Sequence, residues 1–191
     1  MEQYQTVLLG SGELSKILQN SYLHDLSSFF IVEKDGTYVV DERFTYGDPV
    51  YKALQIQHRF ELGHTVLIKN LEHWNLAIAQ ECQRLGGDTN VHLYASPIGG
   101  SAFDWHADDR DVYIYMQHGQ KKFQLRKPSG EIETFVVSPG QRLFIPYGVQ
   151  HRAFAQEVSS VHLSFGKWPE AMTISETYPP LAMTASLKDT F

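Results

Sequence analysis

The sequence is poor in cysteine and in long apolar runs, and each shortage excludes a class of protein. Its 191 residues include one cysteine, Cys82, which cannot form an internal disulfide and favours a reducing, cytoplasmic location. No apolar run approaches the ~20 residues that span a bilayer, and the N-terminus carries no basic leader. We therefore expect no membrane insertion and no secretion.

Positive charge is also scarce. Sixteen Lys and Arg residues against 22 Asp and Glu leave a net charge of −6, with an isoelectric point near 5.8. A chain of this sign has no general attraction for nucleic acid, so we expect no nucleic-acid partner. The apolar fraction of 42% is that of a globular protein, and the length fits one domain.

The first half of the chain, residues 1–89, has a mixed α and β pattern. Amphipathic spacing predicts helices near residues 11–22, near 49–60, and from Asn70 to Gly86. Short apolar runs predict a hairpin over residues 29–40 and a strand over 66–68.

From residue 90 the pattern becomes one of short β segments separated by turn residues. We expect strands over 91–96, 103–108, 111–117, 121–126, 131–137, 142–145, 150–155 and 160–166. This spacing is typical of a sandwich or jelly roll. The predicted fold is thus mostly β, a double-stranded β-helix buttressed by N-terminal helices. We expect a single domain over 1–191, with a jelly-roll core at 90–167 and a C-terminal tail at 168–191.

A candidate metal site begins at His106-Ala107-Asp108. About one such His-x-acid pair is expected by chance among nine histidines and 22 acidic residues. The pair alone is therefore no evidence of a metal site, and the prediction depends on the neighbouring sequence. In a strand, residues i and i+2 point to the same face. With His151 from a distant strand, two histidines and one carboxylate can occupy one face of an octahedral metal, as in non-haem Fe(II) oxygenases.

The segment 92–166 resembles the JmjC-type, cupin-like Fe(II)/2-oxoglutarate oxygenases, especially the branch of the ribosomal oxygenases. The matching pieces are His92-Leu-Tyr-Ala-Ser-Pro97, His106-Ala-Asp-Asp-Arg-Asp-Val-Tyr113, Gly119-Gln-Lys-Lys-Phe123, Pro139-Gly140, Ile145-Pro146-Tyr-Gly148-Val-Gln-His151 and His162-Leu-Ser-Phe165. Their order and spacing agree with that family, and the set is far more specific than any single motif.

The resemblance implies a role for each of these positions. His106, Asp108 and His151 would bind the metal. Lys121 would pair with the distal carboxylate of 2-oxoglutarate, and Ser164 would add a hydrogen bond to it. Two further residues, His92 and Tyr94, share one face of the first core strand and could line the cosubstrate end. The alternative interpretation, a buried and hydrogen-bonded pair of aromatic rings, explains them at least as well.

The implied activity is hydroxylation by a 2-oxoglutarate-dependent dioxygenase that uses Fe(II) and O₂ and releases succinate and CO₂. The substrate would be an amino acid, a peptide or protein side chain, or another small molecule, and the chain would act as a monomer or small homo-oligomer. The alternative is a cupin-like binding module that is non-catalytic or holds a different metal.

Strand parity leaves some positions open. Lys121 and Lys122 face opposite sides of their strand, and we favour Lys121 inward because it shares parity with Phe123. His162 shares parity with Ser164 and would face the cavity if Ser164 does, and we assign it a structural role or one that supports the ligand-binding residues. Phe103 and Trp105 are expected in the core.

Overall fold

The computed structural model describes residues 7–19, 29–32, 38–39, 49–86, 88–169 and 183–184. Its helices are α1 (Ser11–Gln19), α2 (Pro49–Glu61) and α3 (Leu76–Leu85), with a 3₁₀ turn at Leu71–His73. The strands are β1 (Phe29–Val32), β2 (Tyr38–Val39), β3 (Thr65–Ile68), β4 (Asn90–Ser96), β5 (Asp111–His118), β6 (Lys121–Arg126), β7 (Ile132–Val137), β8 (Arg142–Ile145), β9 (His151–Ala155), β10 (Ser160–Lys167) and β11 (Met183–Thr184).

Two antiparallel sheets form the body of the molecule. The larger sheet has eight strands in the order β11-β8-β5-β10-β4-β3-β1-β2, and the smaller has three in the order β7-β6-β9. The non-sequential order, in which β10 lies between β4 and β5, is the strand exchange that a jelly roll requires. The predicted mostly-β, jelly-roll fold is confirmed.

The large sheet is the middle of three layers. On one face, residues of β4 and β10 such as Leu93 and Phe165 pack against the helices, including Ile78 of α3. On the other face, β5 and β8 pack against Phe123 and the rest of the small sheet. Each central strand of the large sheet therefore presents alternate residues to two separate cores, and the site lies on the side of the small sheet. Among the helices that the structure describes, none is long and apolar enough to cross a membrane.

The predicted helix from Asn70 to Gly86 is corrected to two shorter elements. Asn70 adopts a left-handed conformation (φ 59°) before the 3₁₀ turn and makes no side-chain cap bond. The α-helix begins only after Asn75, whose side chain accepts a hydrogen bond from the Ile78 N–H. Asn75 is the better cap because its extended backbone aims its amide oxygen at the first turn. The predicted end at Gly86 is confirmed.

The predicted strand at 103–108 is wrong. This segment has no regular strand, and its ladder contact is an isolated bridge between His106 and His151, with a second bridge from Ser101 to Phe154. Its position in a series of short β segments suggested a strand, but Ser101 and His106 lie five positions apart while their partners Phe154 and His151 lie three apart, so the residues between the two bridges cannot pair in register with β9. Most of the tail at 168–191 lies outside the described residues; Met183–Thr184 pairs with β8.

Gly119 makes the tight turn between β5 and β6. Its φ is +66°, and a Cβ at this position would lie 1.9 Å from the backbone oxygen of Ser159. Gly130 also has a positive φ (+88°), but a Cβ there would meet nothing within 4 Å. Comparing substitutions at these two glycines therefore distinguishes the cost of backbone strain from the cost of steric overlap.

We expect Gly119→Ala to lower the free energy of unfolding by about 3 kcal/mol, because strain and a backbone clash add together. Gly130→Ala, which introduces strain alone, should lower it by only about 1 kcal/mol. Urea unfolding followed by circular dichroism measures both. Equal losses in the two variants would contradict the close approach to Ser159.

Candidate functional site

A cavity of about 250 Å³ lies between the large and small sheets. Histidines, a lysine and an aspartate share it with apolar side chains, a combination typical of a binding site. Its walls are formed by His92, Tyr94, Ala102, Phe103, His106, Asp108, Val112, Ile114, Lys121, Phe123, His151, Ala153, His162 and Ser164.

Three of these side chains converge at the mouth of the cavity. Ligand atoms of His106, Asp108 and His151 all lie within 4.8 Å of one another. Nε2 of His151 is 3.5 Å from Oδ2 of Asp108, and Nε2 of His106 is 4.0 Å from Oδ1. Asp108 and His106 are half-exposed while His151 is buried, so the cluster opens towards solvent on one side.

Backbone hydrogen bonds hold the two histidines opposite each other. His106 and His151 exchange both backbone bonds across their bridge, with N to O distances of 3.1 and 2.8 Å. The Gly148 N–H donates to the carbonyl of Asp108 (3.1 Å), which ties the aspartate to the turn before β9. Asp108 thus reaches the cavity from an irregular segment, although the prediction placed it there through strand alternation.

The donor set fits a divalent metal ion. Nδ1 of His106 donates to the carbonyl of Asp104 (2.8 Å), and Nδ1 of His151 donates to the carbonyl of Val149 (2.9 Å). In the neutral imidazole each bond places the proton on Nδ1, so Nε2 is the atom that can bind a metal, and the bond fixes the ring orientation as in protein metal ligands. Burial, and then the neighbouring His106, lower the pKa of His151, which favours the neutral form that coordinates a metal.

Cation–π contacts connect the segment before His106 to the small sheet. The ring of Trp105 packs against Arg126 and Arg152, whose guanidinium carbons are 4.6 and 4.8 Å from its centre. Phe103 lines the cavity and packs 5.1 Å from the His106 ring. The core prediction holds for Phe103, which packs against the buried cluster of Val32, Leu67 and Ala102 as well as lining the cavity. It is corrected for Trp105, which lies half-buried against the two arginines.

Lys121 lies fully inside the cavity wall, at 1% exposure. Its Nζ donates to Oγ of Ser96 (2.8 Å), and its interactions include no carboxylate among the described residues. Ser96 in turn bonds Thr65 (2.9 Å), which donates to the carbonyl of Ser101 (3.2 Å). This chain of hydroxyls fixes the ammonium position without neutralising it. Lys122 lies on the opposite face, over Phe154, as the strand parity predicts.

Burial lowers the pKa of Lys121 from 10.5 to about 7. A lysine with a depressed pKa destabilises the fold when it is charged, and this cost disappears as the pH rises from about 7 towards the unfolded value. Within the described residues, the hydrogen-bond partner of this buried cation is a neutral hydroxyl. An anionic ligand bound beside Lys121 would therefore offset the cost of burying its charge.

We expect Lys121→Met to stabilise the ligand-free protein, because methionine fills the same space without a buried charge. The free energy of unfolding should rise by roughly 1 to 4 kcal/mol near pH 7, and the gain should shrink towards about pH 10. Urea unfolding of both proteins at several pH values measures this. A gain that grows with pH would contradict a desolvated ammonium at this position.

The remaining predicted residues occupy the floor of the cavity. His92 and Tyr94 project from β4, and Ser164 from β10 directly opposite His92. Tyr94 stacks on the ring of His162 with a centroid distance of 4.9 Å. The structure thus brings all seven residues singled out by the sequence into one cavity, but their roles stay predictions.

The ring of His162 lines the cavity together with Ser164, in agreement with the strand parity that the two residues share. One feature of the site had no clear signal in the sequence. The hydroxyls of Thr65 and Ser96 belong to separate strands, 31 residues apart. A contact of that separation leaves no local pattern.

Comparison with curated proteins finds relatives among the oxygenases, while no protein-family model matches the chain. The chain is similar to a bifunctional lysine-specific demethylase and histidyl-hydroxylase of Dictyostelium discoideum, with 26% identity over 179 residues, 79% of this chain and 34% of the relative. A probable ribosomal oxygenase of Haemophilus influenzae is 26% identical over 126 residues, 53% of this chain and 31% of the relative. The chain spans about a third of the length of these relatives.

Among solved structures, the chain is similar to a ribosomal oxygenase of Escherichia coli. The TM-score is 0.55 at 19% identity, with 85% of this chain and 45% of that chain covered. At this identity the likeness shows the fold alone, and it agrees with the jelly roll described above. The curated relatives confirm the resemblance to the JmjC-type, cupin-like oxygenases that the motifs indicated.

Proposed function

We propose that this chain is an Fe(II)- and 2-oxoglutarate-dependent hydroxylase. The observation that carries the proposal is the buried Lys121, which has no carboxylate partner among the described residues and shares one cavity with the His106, Asp108 and His151 cluster. An isolated ammonium beside a metal-binding cluster suits a ligand with a carboxylate at one end and metal-binding oxygens at the other, as 2-oxoglutarate has.

The residues singled out by the sequence each have a defined task in this proposal. His106, Asp108 and His151 hold the metal on one face and leave its other positions for ligands. When bound, Fe(II) supplies the activation of O₂ that couples decarboxylation of 2-oxoglutarate to hydroxylation of a second substrate. Lys121 pairs with the distal carboxylate of the keto acid, and Ser164 adds a hydrogen bond.

The floor and walls of the cavity orient the cosubstrate and limit access of water. His92 and Tyr94 line the cosubstrate end, and Phe103 and Phe123 supply apolar walls. A cavity of about 250 Å³ leaves little room beyond the cosubstrate, so the hydroxylated group enters from the open side of the metal cluster. There the half-exposed Asp108 faces solvent.

A protein side chain is the first substrate class to test. Similar proteins are named as histidyl-hydroxylase and ribosomal oxygenase, and the open mouth would admit a side chain presented by a large partner. Amino acids and other small molecules follow. The competing function, a cupin-like binding module, predicts ligand binding without O₂ consumption.

The decisive experiment incubates the protein with Fe(II), ascorbate and 2-oxoglutarate. It follows succinate formation and O₂ uptake, and it screens candidate peptides and amino acids by mass spectrometry for addition of one oxygen atom. We expect succinate above the level of a chelator-treated control, and more of it with the true substrate. Binding of 2-oxoglutarate with no O₂ uptake under any condition would favour the binding module.

A further inference from the structure

His162 is a buried cavity residue to which the proposed function gives no task. It projects from β10, lines the cavity and is only 4% exposed. Its β4 partner is Tyr94, two pairs along the ladder from the Ser160–Ser96 pair and on the same face, and Ser96 accepts the hydrogen bond of Lys121. His162 therefore lies at the end of the cavity where Lys121 holds its charge.

Aromatic rings hold the His162 imidazole in one orientation. It stacks on Tyr94 with an angle of 4° between the ring planes, and it meets the edge of Phe123 at 82°, with a centroid distance of 5.6 Å. A ring clamped from two directions loses little further freedom when it binds a ligand.

The surroundings of the ring determine which nitrogen carries its proton. Nδ1 is buried and has no hydrogen-bond partner within the described parts of the chain. A buried N–H without a partner is rarer in proteins than an unpaired acceptor, so Nδ1 is the unprotonated nitrogen. Burial, and then the charge of Lys121, hold the pKa of His162 well below its usual range. The neutral ring therefore carries its proton on Nε2.

We propose that Nε2–H of His162 donates a hydrogen bond to the distal carboxylate of 2-oxoglutarate, beside the ammonium of Lys121. This inference rests on the proposed function and adds a residue to its cosubstrate site. A carboxylate has about four lone-pair positions and can accept from Lys121, Ser164 and His162 together. A neutral donor suits the position because it adds a bond without a second buried cation.

The alternative is that His162 only packs between Tyr94 and Phe123. Two substitutions separate these roles because each retains what the other loses. His162→Phe keeps an aromatic ring for stacking but has no donor. His162→Gln loses the ring, but its amide N–H can reach the position of Nε2. An exposed histidine, His73, gives the control His73→Gln.

The test measures binding of 2-oxoglutarate by calorimetry to protein loaded with Mn(II), which takes the same ligands without turnover. We expect His162→Phe to weaken binding by about 10- to 100-fold, and His162→Gln to bind within about fivefold of the wild type despite its poorer packing. His73→Gln should match the wild type. Thermal unfolding measures the packing cost separately, and we expect the melting temperature to fall in His162→Gln more than in His162→Phe.

The outcomes separate this inference from the proposed function. Wild-type binding by His162→Phe, or a loss confined to His162→Gln, would overturn the hydrogen bond and leave the cosubstrate assignment intact. Absence of 2-oxoglutarate binding by the wild type would overturn the proposed function and this inference with it. If His162→Phe fails to fold, His162→Leu, which also lacks a donor, replaces it and should also bind weakly.

Discussion

Asp108→Ala is expected to abolish turnover and metal binding while the fold remains intact. Asp108 contributes the one carboxylate of the cluster, and both histidines approach it, at 4.0 and 3.5 Å. Changes to residues that merely orient metal ligands cost 10- to 100-fold in affinity, so loss of a ligand itself should cost more than about 100-fold. The two remaining histidines would supply only two of the three ligand atoms that the site needs.

The fold should tolerate this substitution because the Asp108 side chain is 38% exposed and lies at the cavity mouth. Its backbone carbonyl, which accepts from Gly148, is retained. We expect a change in the free energy of unfolding within about 0.5 kcal/mol. Asp109→Ala is the matched control, since its side chain is 72% exposed and lies outside the cluster.

Metal content after anaerobic loading and gel filtration, measured by mass spectrometry, reports binding directly. Succinate formation reports turnover. We expect Asp109→Ala to retain both and Asp108→Ala to retain neither. If Asp108→Ala keeps wild-type iron and wild-type succinate formation, the metal assignment is wrong and the cluster has another purpose.

The fold could be predicted from the sequence wherever its pattern reflects local packing. Strands β5 and β6 alternate between two different surroundings, the cavity or sandwich core on one side and the opposite face on the other, and that alternation is visible in the sequence. The helix near Asn70 was misjudged because two good cap residues, Asn70 and Asn75, compete, and tertiary contacts decide between them.

The site could be predicted only as far as its motifs extend. His106, Asp108 and His151 stand at recognisable spacings, and strand parity placed Lys121 inward. The segment around His106 was assigned to a strand, because a sequence does not show that a bridge stops after one pair. The orphaned Nδ1 of His162 is a property of three-dimensional surroundings and has no counterpart in the sequence.

Lys121→Ala is expected to weaken the use of 2-oxoglutarate by roughly 30- to several-thousand-fold. Lys121 is fully buried, and Ser96 is its hydrogen-bond partner within the described residues, so the incoming carboxylate would be its counter-charge. Truncation of one partner of a buried charge pair costs about 2 to 5 kcal/mol, much of it from the charge left unpaired. At 1.4 kcal/mol per factor of ten, this gives the expected range.

Two further variants test the direction and the geometry of this contact. Lys122→Ala should change the use of 2-oxoglutarate by much less than tenfold, because Lys122 packs over Phe154 on the other face of β6. Lys121→Arg keeps the charge but must fit a longer, planar group into a wall shaped around an ammonium bonded to Ser96. We therefore expect partial activity, with a raised KM for 2-oxoglutarate.

Succinate formation against 2-oxoglutarate concentration, measured for the three variants and the wild type, distinguishes the possible outcomes. Sensitivity at Lys122 rather than Lys121 would mean that the cosubstrate binds outside the cavity, on the exposed face of the small sheet. Sensitivity at neither position would mean that 2-oxoglutarate is not the cosubstrate. The metal cluster would then serve a different chemistry, one that does not use the buried ammonium of Lys121 to bind a dicarboxylate.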